Sequence, residues 1–356
     1  MAARGAIVHA VGMMTAIGAG AKQTATSVRA GVARLTESAI HDRRFQPMVV
    51  ATVPEEELPP LEPAVAAVPG LTSRQMRMLR LAGPALREAV ADLPDATAVP
   101  LFLAMPEPLP GRPDPAGERF LGHLAAQSGV RFAAAASRLF PCGRAAGFAA
   151  LEAGLAALAS GTAEHALVGG VDTFVDLYLL GVLDAESRVL GEGVMDGFVP
   201  GEGAAFLLLS AGGAPRPGGA ADLARVAAVA TGEEKGHRYS KEPYRGEGLA
   251  ATFQALWERA GADLPPVRTV YAGLNGENFG AKEWGTAQLR SAERFADDFR
   301  LEHPVDCFGD PGAALGPVLL GLAALGLHGG HLEAPCLVWC SSDRAERGAA
   351  LLRRVE

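Results

Sequence analysis

One short stretch of this chain brings together residue types that can do chemistry: Pro141-Cys-Gly-Arg-Ala-Ala-Gly147 sets a thiol two residues ahead of a guanidinium at the start of an Ala-rich run. A thiolate is the attacking species in cysteine chemistry, and a nearby cation or helix N-terminus favours it, so Cys142 is expected to be more acidic than an isolated thiol. Arg144 can itself be the working group, because its planar fork grips carboxylate or phosphate and the amides of a helix start add donors. Cys307 is a second thiol of similar standing, and buried structural cysteine is the alternative for both. Cys336 and Cys340 share one apolar run and read as core. No Cys-x-x-Cys or Cys/His cluster has metal spacing, so no metal is expected. The eight histidines show no motif tying one to a thiol, His303 coming nearest. Tyr239, Tyr244, Phe279 and Trp284 gather in the second half, where they either line a ligand or partner groove or simply pack.

The chain has the means to bury such a site. It has 356 residues, 49% of them hydrophobic and 20% charged, which suits a sizeable core in one large unit or two fused halves. A net charge of −8 without a basic stripe excludes the usual footprint of a nucleic-acid binder. Four cysteines make no disulfide framework in a chain this long, so reduced thiols in a cytoplasm are expected. The run at 6–11 is interrupted by His9 and is too short for a secretory or membrane-spanning segment, and the Ala-rich run at 145–158 carries Glu152. A cytoplasmic location away from membranes is the expectation.

The elements that must position the site alternate. Strands are predicted at 6–12, 99–104, 165–170 and 204–210, the third ending at a Gly-Gly turn and the last apolar enough for burial on both faces. Helices are predicted from about 21, then at 73–93, 119–128 and 144–159. A Gly/Pro-rich linker at 212–220 divides an N-terminal half, 1–211, from a C-terminal half, 221–356. The rhythm then restarts with strands at 224–230, 269–273 and 336–341 and helices at 245–260 and 316–327, so two related α/β units are expected, with a weak internal duplication.

Within this frame, Asp196-Gly-Phe-Val-Pro-Gly-Glu-Gly-Ala204 resembles the Gly-Phe-Val-x-Gly-Glu-Gly-Ala segment of the β-ketoacyl synthases. The similarity extends to Val11-Gly-Met-Met-Thr-Ala-Ile-Gly18, the helix after Thr72-Ser-Arg, the segment from Gly161 to Gly169-Gly170, and Gly312-Ala-Ala-Leu-Gly316. The resemblance implies a thiolase-like α/β fold: two similar βαβαβ halves packed as a five-layered α-β-α-β-α sandwich.

It also implies where chemistry belongs, and there this sequence departs. Counting back without a gap from Gly169-Gly170, the family's nucleophilic cysteine falls on Arg144. To seat Cys142 there, two residues must be inserted in the following helix, turning its face by roughly 200°. The first family histidine falls on Asn275 in Gly273-Leu-Asn-Gly-Glu277, and the second on Asp310, of the wrong charge for an enolate site. The family lysine falls on Val305, and Ser341-Ser-Asp-Arg-Ala-Glu-Arg-Gly348 stands where active members carry a Gly-rich loop with a gating phenylalanine. Arg144 then either binds an anionic group or forms a salt bridge to Glu202 or Asp310. Asp310, Asn275 and Glu277 form either a rebuilt polar site or mutually neutralising charges. Glu202 is expected to have a structural task, accepting backbone donors around its Gly-rich turn.

The resemblance therefore implies a condensing-enzyme scaffold without its Cys/His/His set and without a cofactor, similar to chain-length factors. Implied partners are a second copy or an active ketosynthase-like protein, meeting through a strand near 132–140, and an acyl carrier protein. A weaker resemblance reaches adaptors encoded beside bacterial secretion-system effectors. The rivals are an active acyltransferase or 3-oxoacyl synthase using Cys142, and a small acyl-ligand or phosphopantetheine binder using Arg144.

Overall fold

The computed structural model describes residues 5–108, 114, 115, 117, 119–214 and 216–355, so position 215 of the expected linker lies outside the described residues. From the N-terminal side run β1 (Ile7–Thr15), α1 (Ala21–Arg29), the hairpin β2 (Thr36–His41) and β3 (Pro47–Val50), and the short α2 (Pro63–Ala66). Then come α3 (Ser73–Ala89), β4 (Leu101–Ala104), α4 (Phe120–Ser128), β5 (Arg138–Phe140), α5 (Ala146–Ala159), β6 (His165–Thr173), α6 (Leu177–Ala185) and β7 (Glu202–Ser210). The series continues with β8 (Ala224–Glu233), α7 (Glu247–Ala260), β9 (Val267–Ala272), α8 (Asn278–Arg290) and β10 (Phe295–Glu302). It ends with α9 (Val305–Phe308), α10 (Leu315–His328), β11 (Cys336–Ser341) and β12 (Glu346–Arg353).

Ten strands form one hydrogen-bonded sheet in the order β10-β9-β11-β12-β8-β1-β7-β6-β4-β5. Its two five-strand halves meet where Ile7 and Val8 of β1 pair with Arg225 and Ala224 of β8. Each half repeats one pattern. In the first, β5, β4 and β6 are parallel while β7 is antiparallel to both β6 and β1. In the second, β10, β9 and β11 are parallel while β12 is antiparallel to both β11 and β8. The duplication expected from the rhythm is thus a duplication of topology.

Burial dictates the layers. Helix α3 starts in a capping box, Thr72 accepting from the Gln75 amide while Gln75 reaches back, and packs its apolar face on β1, β6 and β7. On the other half, α7 turns Leu249, Phe253, Leu256 and Trp257 inward onto β8 and β12 and leaves Gln254 and Glu258 in solvent. Helices α5 and α10 touch strands of both halves and one another, and α10 is apolar around almost its whole circumference because it is covered on every side. The result is the five-layered thiolase-like sandwich, α3 and α4 outside, α5 and α10 in the middle, α7 and α8 outside. Strand β7 alternates between two cores, Ala205, Leu207 and Leu209 facing the central helices and Ala204, Phe206 and Leu208 facing α3.

One expectation about the sheet fails. β6 does not stop at Gly169-Gly170 but continues to Thr173. A Cβ at Gly170 would lie 2.7 Å from the Ala313 carbonyl oxygen and 2.9 Å from Pro317 Cγ, so the glycine serves close approach of the α10 segment and not a turn. Among the described residues no helix is long and apolar enough to cross a membrane.

Candidate functional site

The residue at the head of the central helix is Arg144. It sits in a 3-10 turn, Gly143–Ala145, which leads into α5. Gly143 begins that turn at φ 68°, a left-handed conformation, and a Cβ there would press on Glu107 at 2.9 Å. Opposite lies the turn before α10, where Gly312 has φ 55° and a Cβ would collide with Asp172. These two tight turns set the distance between the elements that carry the site.

The three positions that the resemblance singles out converge. Arg144 Nε donates to Asp310 Oδ2 at 2.6 Å, and Asn275 Nδ2 donates to the same oxygen at 2.9 Å. Asp310 Oδ1 accepts from the Gly312 amide at 2.9 Å. Asn275 also bonds Glu277, whose carboxylate is gripped by Arg188 through Nε and Nη2, both at 2.8 Å. Arg188 in turn holds Asp343 through Nη1 and Nη2, both at 2.9 Å, and Asp343 Oδ1 closes the ring by accepting from Arg144 Nη1 at 3.0 Å. Arg238 adds a bond to Glu277 at 2.8 Å.

Three arginines thus face three carboxylates in a nearly closed network, which is how charges of this kind survive burial. Burial opposes the Arg144 charge, but Asp310 and Asp343 outweigh it and hold the guanidinium more firmly protonated than usual. Burial likewise pushes against the Asp343 charge, yet Arg144 and Arg188 hold its carboxyl well below the ordinary range. The Arg144 guanidinium also lies 5.4 Å from the Phe198 ring centroid and 5.6 Å from that of Phe174.

Beside the network is a cavity of about 390 Å³. Its apolar wall comes from Phe174 and from Leu179, Val182 and Leu183 of α6, and its polar floor includes Arg144, Asp343 and Glu107. Half-exposed Tyr178, Tyr239 and Arg344 rim it. Burial first and the Asp343 charge second raise the Glu107 carboxyl to about 7. Among the described residues no group of three His, Cys, Asp or Glu side chains could hold a metal ion.

No family model matches the sequence, and no curated protein matches it. Solved structures do match over its length. The ishigamide ketosynthase/chain length factor superposes with TM-score 0.77 at 18% identity, covering 100% of each chain. A chain of AntDE:AntF, a type II PKS acyl-carrier protein in complex with its ketosynthase bound to the hexaketide, gives 0.76 at 15% identity, covering 99% of this chain and 100% of that one. The ketosynthase from module 6 of the bacillaene synthase of Bacillus subtilis 168 gives 0.78 at 10% identity over 99% of this chain and 72% of that one. This chain has the ketosynthase fold.

In the ketosynthase-like chain the expected acidity of Cys142 is reversed. Burial, with the charges of Glu346 and Glu107 behind it, pushes the thiol up to about 11. Arg144 offers no remedy, since its charge is matched by Asp310 and Asp343. Cys307 is also raised, by burial and then by Asp306.

Glu202 stands apart from the Arg144 network. Its carboxylate accepts from Arg77 at 3.0 and 2.6 Å, from the Val53 amide at 2.8 Å and from Thr173 Oγ1 at 2.9 Å, so of the two partners expected for Arg144 only Asp310 is used. The backbone donor it does hold belongs to a distant loop and not to its own turn. Of the grouped aromatics, Tyr239 lines the cavity, Tyr244 stacks on Phe279 at 4.0 Å, and Trp284 stacks on Trp339 at 5.5 Å.

Sequence reasoning missed Arg188, Asp343 and Glu107. Asp343 lay in plain sight within Ser341-Ser-Asp-Arg344, but the missing loop pattern drew attention away from its charge. Away from the cavity, His9 Nε2 lies 2.6 Å from Ser210 Oγ and Nδ1 lies 3.1 Å from Asp222 Oδ1, the spacing of a catalytic relay. His9 and Ser210 are buried where β1 meets β7, so the trio acts as a clasp.

Proposed function

We propose that this ketosynthase-like chain works by binding, as a scaffold subunit similar in role to a chain-length factor, and performs no condensation. The observation that carries the reading is the occupancy of the α5 head: an arginine tied to Asp310 and Asp343 fills the place where the resemblance calls for a nucleophile. Cys142 lacks the depressed pKa that acyl transfer requires. The test is incubation with acyl thioesters followed by intact and peptide mass spectrometry. No stable adduct is expected, and an acyl group on Cys142 would overturn the reading in favour of an acyltransferase.

The partner is a second copy or an active ketosynthase-like protein. Support comes from β5, the terminal strand of the sheet order, whose outer edge suits pairing across a two-fold axis. An acyl carrier protein is a further proposed partner, by analogy with the named complex AntDE:AntF. We take 1–211 and 221–356 as two related units, because each supplies one five-strand pattern.

A second reading has its own support. Arg144 Nη2 is buried and has no hydrogen-bond partner among the described residues, and Arg144 lines the cavity. This favours a small-ligand role for Arg144, tested by loss of ligand binding in Arg144→Ala.

A further inference from the structure

A second groove lies on the outer face of the C-terminal half, away from the α5 head. Two stretches line it: one face of α7 and its end, from Glu247 to Ala262, and the end of α8 with the turn after it, from Arg290 to Arg294. At 1.5 Å per residue the α7 face runs for about 20 Å, so the cavity of about 660 Å³ is long and open. Its floor is firm, because the buried Trp257 indole donates to Ser291 Oγ at 3.3 Å and stands edge-on to Phe295. The walls carry opposite charge. α7 supplies Glu247 and Glu258 to the groove and no cation, and the facing wall supplies Arg290 and Arg294 around a single Glu293. Apart from Gln254, which donates to Glu258 at 3.1 Å, these charges have no hydrogen bond or ion pair among the described residues, so the two walls stand too far apart to meet. Arg259, the next residue of α7 and off the groove, is by contrast tied to Glu152 at 2.6 Å.

Shape and backbone chemistry select a helix as the occupant. Both walls are helical, with backbone groups bonded along their own axes. An extended segment laid there would leave its N–H and C=O groups unmatched, whereas a helix satisfies them internally. Ala250, Ala251, Gly261 and Ala262 have little or no side chain, which lets a second helix axis come close. We propose that this groove docks one amphipathic helix of a protein partner, its small apolar face on Trp257, its basic edge along Glu247 and Glu258, and its acidic edge along Arg290 and Arg294. A helix with edges of one sign would be repelled by one wall, so the pair of unmatched walls sets which partner fits. The groove shares no residue with the α5 head or with β5, and the proposal therefore stands or falls independently of the non-catalytic reading.

Three stapled helical peptides of about 16 residues, alike in an Ala/Leu face, carry Lys on one edge and Glu on the other, Lys on both edges, or Glu on both. Each is titrated as a fluorescent conjugate with the full chain and followed by anisotropy. The mixed peptide is expected to bind at least about fivefold more tightly than either of the others, and to lose that lead at high salt. In the double variant Glu247→Arg, Glu258→Arg, where both walls are basic, the Glu-edged peptide should overtake it. Ala251→Trp, which fills the exposed floor without entering the core, should abolish binding of all three, with an unchanged denaturant midpoint showing that the fold is intact. No binding, equal binding of the three peptides, or an unchanged order in the double variant overturns the proposal. A self-associated chain that Ala251→Trp dissociates in sedimentation overturns it too, because the groove then belongs to a second copy.

Discussion

Arg144 Nε and Asp310 Oδ2 meet at 2.6 Å across 166 residues of sequence, joining the head of α5 to the turn before α10. The Arg144 side chain is 6% exposed and that of Asp310 is 0% exposed, so each is the other's main compensation for lost water. A pair of this kind is weak evidence of net stabilisation, but removing one member strands the other. Arg144→Ala should lower unfolding stability by about 3–5 kcal/mol. Asp310→Asn should cost less, and the double variant should cost clearly less than the sum. Denaturant midpoints of the three variants measure this, and strict additivity would show that the two side chains do not depend on each other.

Glu202 offers the contrasting case. Its fully buried carboxylate accepts from Arg77, the Val53 amide and Thr173, tying α3, β6 and the segment after β3 together. Glu202→Ala should destabilise by about 3–5 kcal/mol through stranded donors. At temperatures where the variant is folded, its ligand affinity in the Arg144 cavity should match that of the unsubstituted chain. A large affinity loss at full folding would mean that Glu202 belongs to the site.

The cysteines should be sluggish. With Cys142 raised to about 11 by burial and by the charges of Glu346 and Glu107, its thiolate near neutral pH is about a hundredfold scarcer than that of an ordinary thiol. Iodoacetamide labelling of the native chain should be slow and still accelerating at about pH 10. Cys336 and Cys340, fully buried on β11, should label only after unfolding. Fast labelling of Cys142 at neutral pH would restore it as a nucleophile candidate.

The parts of this molecule that the sequence makes legible are those where one element's composition decides its place. β7 is apolar at nearly every position and is buried on both faces, and Cys336–Ser341 forms the strand its composition predicts. Arg144, Asn275 and Asp310 were reached through the resemblance to the β-ketoacyl synthases, counted from glycines such as Gly170, where a Cβ would collide with the Ala313 carbonyl. β10 escaped notice because half of its residues Phe295–Glu302 are charged and they follow no strict alternation, as an edge strand permits. β12 hid behind a charged start, Glu346 and Arg347, although Arg347 is buried against Glu283 at 2.6 Å and bonds three carbonyls of the turn that presents Asp343. Arg188 and Glu107 carry no local pattern, since only the packing of distant turns turns them into members of a site.

Glu107 gives the pH prediction with a definite sign. Its carboxyl titrates near 4.5 in an unperturbed setting and is raised to about 7 in the fold, first by burial and then by Asp343. Between those values the folded chain holds a proton that the unfolded chain has released, so folding stability falls as pH rises through that window. The contribution is fully present below about 4.5 and is lost above about 7. Glu107→Gln cannot ionise, so its stability should gain on the unsubstituted chain as pH climbs, by at most about 3 kcal/mol at pH 8 and by little at pH 4.5. Denaturant midpoints of both proteins at the two pH values measure the difference. A gap that does not change with pH would show that Glu107 titrates in the fold as it does in the unfolded chain, its burial offset by a firmer contact to Arg344 than the 3.5 Å separation provides.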